Sequence, residues 1–86
     1  MPTISRFYGI IIRMFYNDHN PSQFHAVYGE YELIVGISPI AILEGTAPNR
    51  VRSMVLEWTA LHQQDLLENW KRCRDGEIPL TVEPLM

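Results

Sequence analysis

Five residues near the N-terminus have the types and spacing for chemistry. Arg13 interrupts the apolar run from Gly9 to Tyr16. Asp18 and His19 stand in the polar stretch that follows, His25 comes just after it, and Glu32 lies one short segment further on. A histidine moves protons near neutral pH. An arginine holds a phosphate or a developing phosphorane charge, and a carboxylate orients the imidazole or acts as a base. Cleavage of RNA without a metal needs little beyond these groups, because the 2′-hydroxyl is the nucleophile. The plainer alternative is a cross-strand ion pair beside a histidine, a common feature of exposed sheet faces. A second combination is His19 and His25 with Asp18 or Glu30 around a divalent metal. Its histidine spacing is not a familiar zinc arrangement, and no thiolate lies close in sequence. The competing expectation is an ordinary polar turn.

These groups share a site only if the chain folds them together. Gly9–Tyr16 is rich in Ile and aromatic residues and predicts an interior strand. Asn17–Gln23 has turn chemistry. Residues 24–28 and 31–37 predict two more strands, with Gly29-Glu30 as a type II′ hairpin turn. Ser38-Pro39 breaks the third strand, and residues 40–44 form an edge strand. Met1–Arg6 is a lead-in. Suppose Tyr16 lies near Phe24 and Tyr28 faces Tyr31. One sheet face then carries Ile10, Ile12, Met14, Phe24, Ala26, Leu33, Val35 and Ile37, together with three tyrosines, and is the core face. The other face brings Arg13, His25 and Glu32 together on neighbouring strands.

The remainder predicts one helix over residues 47–74, capped by Thr46 with Pro48 in its first turn and stopped by Gly76. At about 28 residues it would run about 42 Å, so it bends near Leu61–Gln64 or projects. Val51, Val55, Trp58, His62, Leu66 and Cys73 form its core stripe. His62 is expected there as a buried residue bonded to a neighbour. Cys73 is expected as a packed thiol, although Arg72 and Arg74 would favour its thiolate if it were exposed. Trp58, Trp70 and a weaker stripe of Leu56, Ala60 and Leu67 suggest a partner or homodimer surface. Residues 77–86 form a tail, of which Leu80–Val82 can add a short strand. The fold expected is α+β: a three- to four-stranded antiparallel meander packed against one long C-terminal helix, in a single domain over residues 1–86.

The bulk composition narrows the function. Eighty-six residues with 47% hydrophobic and 20% charged residues suit one small globular domain. A net charge of −3 disfavours a general duplex-DNA binder and favours a basic protein partner. One cysteine excludes an intrachain disulfide and fits a reducing cytosol. No signal-peptide pattern opens the chain, and the longest uncharged run, Leu33–Leu43, is broken by Pro39. A cytoplasmic protein without membrane contact is expected. No Gly-rich phosphate loop or paired-cysteine motif calls for a cofactor.

The opening MPTISRFYGIIIRMFYNDHNPSQFHAVYGEYE resembles a family of small bacterial proteins of unknown function, numbered 4160 (DUF 4160). Its members carry PTISRF, GIVIRMYY and a turn of the form N-D-H-x-P-P-H-F-H. VLEWTALHQQDLLENWKRCRDGE is similar to the family's L-E-W-A-x-x-H…L…N-W pattern. The resemblance places family polar positions on Asn17, Asp18, His19, Pro21, His25, Glu57, Trp58, His62, Asn69 and Trp70. Two positions depart: Ser22 stands for a proline and Gln23 for a histidine, which weakens a metal site and leaves His25 untouched. Genes of such proteins often lie beside one for a small protein of another uncharacterised family, numbered 2442 (DUF 2442). That arrangement implies a type II toxin–antitoxin pair, with this chain as the toxin and messenger RNA as its target. The expected function is thus a toxin-like, metal-independent ribonuclease. His25 would be its acid or base, Arg13 its phosphate contact, and Glu32 or Asp18 its orienting carboxylate. A non-enzymatic interaction module is the alternative, and a weak metal-binding module the third.

Overall fold

A computed structural model describes residues 2–16 and 18–86. Asn17, the first residue of the expected turn and a family position, lies outside the described residues, as does Met1. The chain is α+β: five antiparallel strands in one sheet, followed by two helices. The strands are β1 (Thr3–Phe7), β2 (Ile10–Arg13), β3 (Gln23–Tyr28), β4 (Tyr31–Ile37) and β5 (Ile40–Thr46), and they lie side by side in chain order. The helices are α1 (Asn49–Leu61) and α2 (Gln63–Arg74).

The expected lead-in is in fact a strand. Phe7 pairs with Ile10 across a two-residue turn, with φ of 51° at Tyr8 and 81° at Gly9. Positive φ at both central positions is the type I′ geometry, whose twist matches that of the flanking strands. A tyrosine at the first position gives no turn signal, since L-residues other than Asn and Asp seldom adopt it. The β3–β4 and β4–β5 hairpins follow expectation. Tyr28 faces Tyr31 around Gly29, whose φ is 59°, and Ile37 faces Ile40 around Ser38-Pro39, a cis peptide.

The single long helix divides at His62, whose φ and ψ are −123° and 24°. The bend thus falls inside the expected Leu61–Gln64 window. Two side chains account for it. Buried Thr59 donates its hydroxyl back to the Val55 carbonyl at 2.7 Å, a bond that bends helices. Gln63 Nε2 donates to the Ile37 carbonyl at 2.7 Å and draws the start of α2 onto the end of β4. Thr46 does not cap α1: it belongs to β5, and Pro48 holds the N-cap position without a side-chain bond. Gly76 does stop α2. Its N–H reaches the Cys73 carbonyl at 3.2 Å, the Glu77 N–H reaches Arg72 at 2.7 Å, and its φ is 79°. That is a Schellman cap.

Both helices cover one sheet face. Val51, Val55 and Trp58 of α1 and Leu66, Trp70 and Cys73 of α2 join the inward residues of β1–β4 in one core. Trp58 is fully buried, with its ring 5.3 Å from Phe7 and 5.7 Å from Phe24. Burying a side chain of this size contributes about 3 kcal/mol. The two tryptophans are therefore core residues. Of the weaker stripe, Leu56 and Leu67 are partly buried against the same core and Ala60 is exposed.

Candidate functional site

The second sheet face carries the candidate site. Arg13 lies opposite His25 and Ile11 opposite Val27, while His25 is opposite Ile34 and Val27 opposite Glu32. The expected pairing of Tyr16 with Phe24 would have set Arg13 against Val27. The observed register is two residues away, and a two-residue slide preserves which side each residue faces. The face assignment therefore holds although the register differs. On the core side Ile10, Ile12, Met14, Phe24, Ala26, Leu33, Val35 and Ile37 are all buried, whereas Tyr16 and Tyr31 are exposed.

His25 stands between two carboxylates. Its Nδ1 is 2.8 Å from Glu32 Oε2, and its Nε2 is 3.5 Å from Asp18 Oδ2. The first is a short hydrogen bond; the second is a looser contact that is attractive only when the ring is protonated. Phe15 lies edge-on to the imidazole at 4.3 Å and restricts the ring further. The His25 and Asp18 side chains are 15% and 17% exposed, while Glu32 is 54% exposed. Glu32 fixes the ring orientation from an adjacent strand, and Asp18 reaches Nε2 from the turn. Among the described residues Arg13 makes no ion pair, and it is half-buried on the same face. Arg13, His25, Glu32 and Asp18 are thus brought to one place.

His19 is not part of this cluster. Its Nδ1 is 3.1 Å from the Asn20 carbonyl, and its own carbonyl accepts from Gln23 Nε2 at 2.8 Å. Gln23, standing where the family has histidine, is buried and stitches the turn closed. No group of three His, Cys, Asp or Glu side chains able to hold a metal occurs among the described residues. His62 is half-buried, with its ring 5.5 Å from Trp58. Cys73 is fully buried, and burial pushes its thiol above the ordinary value of 9.0. A thiol held protonated in the core is a poor nucleophile.

Two motif residues have a role that spacing did not reveal. Asn69 is buried and forms a pair of hydrogen bonds to the tail backbone: Nδ2 donates to the Leu80 carbonyl and Oδ1 accepts from the Leu80 N–H, both at 2.8 Å. Trp58 Nε1 donates to the Glu83 carbonyl at 2.7 Å. The available signal was a polar Asn on the core side of an apolar helix, since buried polar groups demand partners.

An antiparallel five-stranded sheet with helices on one face and a histidine–carboxylate cluster on the other defines the class: a small α+β protein with an uncovered, chemically mixed sheet face. The chain belongs to the family described as Domain of unknown function (DUF4160), whose model matches residues 9–71. That span includes the whole cluster and both Trp58 and Asn69. Neither a curated protein nor a solved structure matches the chain. No helix among the described residues is long and apolar enough to cross a membrane.

Proposed function

We propose that this protein is the toxin-like member of a two-protein pair and that its sheet face is a metal-independent RNA-cleaving site centred on His25. The 2.8 Å bond from His25 Nδ1 to Glu32 carries this reading. A carboxylate on one ring nitrogen fixes the tautomer and leaves Nε2 to exchange a proton with substrate. Nε2 takes the proton of a ribose 2′-hydroxyl, which attacks the adjacent phosphorus. The proton is then delivered to the departing 5′-oxygen, so atoms and charge balance in a transesterification. Arg13, the register partner of His25, contacts the phosphate oxygens. Asp18, 3.5 Å from Nε2, stabilises the imidazolium that forms once that proton is taken. The partner is a small antitoxin-like protein.

The test pairs growth with chemistry. Induced wild-type protein is expected to arrest growth, and purified protein to cut a labelled RNA in the presence of a chelator. His25→Ala should lose both while its thermal melt is unchanged. Wild-type protein that neither arrests growth nor cuts RNA removes the reading.

A second reading, a protein-binding face without catalysis, rests on a separate observation. Asp18, Glu32 and Glu44 outnumber Arg6 and Arg13 on this face, where Glu44 lies opposite Ile34 and Arg6 opposite Ile11. Such a balance repels a polyanion and suits a basic protein patch. Capture of the neighbouring gene's product by wild-type and His25→Ala protein alike, without RNA cleavage, would favour it.

A further inference from the structure

The tail, residues 77–86, has no regular secondary structure, yet the body holds it by its main chain. Asn69 pairs with both polar groups of Leu80, the Ile4 carbonyl accepts from the Val82 N–H at 2.8 Å, and Trp58 Nε1 reaches the Glu83 carbonyl. All four bonds read backbone. Among tail side chains only Pro79 and Val82 are buried, while Ile78 and Leu80 are 75% and 57% exposed. This is the chemistry of extended-peptide recognition: main-chain bonds beside a sheet edge supply affinity, and one or two pockets supply selectivity.

Two open surface pockets flank the tail: one of about 330 Å³, lined by Thr3, Ser5, Arg6, Thr81 and Pro84, and one of about 380 Å³ by the end of α1, lined by Leu61, His62, Glu83 and Leu85. Ser5 lines the first pocket, and its hydroxyl is buried without a hydrogen-bond partner among the described residues. A buried hydroxyl normally finds one. Only one backbone bond joins tail to β1, at Val82, where a full strand would make several.

We propose that the groove formed by the β1 edge, Trp58 and Asn69 is a binding site for an extended peptide segment of a partner protein, occupied in cis by the chain's own tail. The ligand is an extended, proline-flanked segment with a small branched aliphatic residue at the Val82 position. Its main chain replaces the tail's bonds to Asn69, Trp58 and Ile4, and a fuller strand supplies a partner for Ser5. The site lies on the β1–helix side of the molecule and is separate from the His25 face, so its test is independent of catalysis.

The probe is a fluorescein-labelled peptide with the sequence of residues 77–86. In full-length Leu80→Pro/Val82→Pro the tail loses two donors while the groove keeps every residue. This variant is expected to bind the probe at least about tenfold more tightly than wild type, whose tethered tail competes at high effective concentration. Adding Asn69→Ala should weaken capture by about tenfold, as expected for loss of a paired amide contact. A folded double-proline variant that leaves probe anisotropy unchanged overturns the proposal, as does capture indifferent to Asn69→Ala. Should the variant not fold, hydrogen exchange on wild type decides. Leu80 and Val82 amides are expected to exchange by local release, faster than Ala26 and Leu33 in the sheet. Equal rates would mean the tail leaves only on global unfolding, and the proposal fails.

Discussion

Gly45→Ala tests whether the β4–β5 edge is held by backbone contact. Gly45 lies opposite Leu33 with a φ of 95°. A Cβ there would overlap the Glu32 carbonyl oxygen and stand 3.0 Å from its carbonyl carbon and 3.2 Å from Leu33 Cα. Backbone cannot swing aside as a side-chain tip does. The left-handed conformation costs an L-residue about 1–2 kcal/mol, and forcing the strands apart adds about 1–3 kcal/mol. The sum, about 2–5 kcal/mol, is a large share of the stability of a domain this size. At about 4 °C or more per kcal/mol, the melting temperature should fall by at least about 8 °C. Gly29→Ala is the control: its φ of 59° is also positive, but nothing lies within 4 Å. It should lose only the conformational part, about 1–2 kcal/mol. Urea unfolding of both variants measures the difference. Equal losses would show that the contact with Glu32 is not what requires glycine. The displaced segment carries Glu32, so Gly45→Ala should also perturb the His25 ring resonances in NMR spectra, and Gly29→Ala should not.

Three further predictions concern the cluster and the core. A double-mutant cycle on His25→Ala and Glu32→Ala should give a coupling of only about 0.2–1 kcal/mol by urea unfolding, because Glu32 is more than half exposed. A coupling above about 2 kcal/mol would make the pair structural and weaken the functional reading. Cys73 should resist thiol reagents in the folded protein and react at the rate of unfolding. Its raised thiol value means that the folded chain keeps a proton the unfolded chain has lost. Stability should therefore be complete below pH 9.0 and decline as the pH rises through the folded value. A fully reactive Cys73 in native buffer would contradict its burial.

Alternation of apolar and polar residues was enough to place Arg13, His25 and Glu32 on one face, because side-chain direction has period two and survives an even slip in register. The core stripe of the helical region was legible for the same kind of reason: Val51, Val55, Trp58, Leu66 and Cys73 recur at helical spacing and are buried, while His62, expected among them, is only half-buried. The family was legible in its motifs. The β1 hairpin was not, since its turn depends on Tyr8 adopting a conformation that tyrosine rarely takes. The break at His62 was legible only as a length argument. Its position was decided by Thr59 bonding back to Val55 and Gln63 reaching β4.

Contacts between distant residues belong to the tertiary structure alone. No spacing rule couples Asp18 to the free nitrogen of His25, because a turn can place its side chains in many ways. None couples Asn69 and Trp58 to a tail whose side chains they scarcely read. By itself the sequence determined the aliphatic core face of β2–β4, the polar face opposite it and the family; the burial of Ile4 and Phe7 and the exposure of Tyr16 and Tyr31 came only with the fold. The fold decided that the outward histidine sits between two carboxylates, and that two motif residues of the helices hold the C-terminal tail by its backbone.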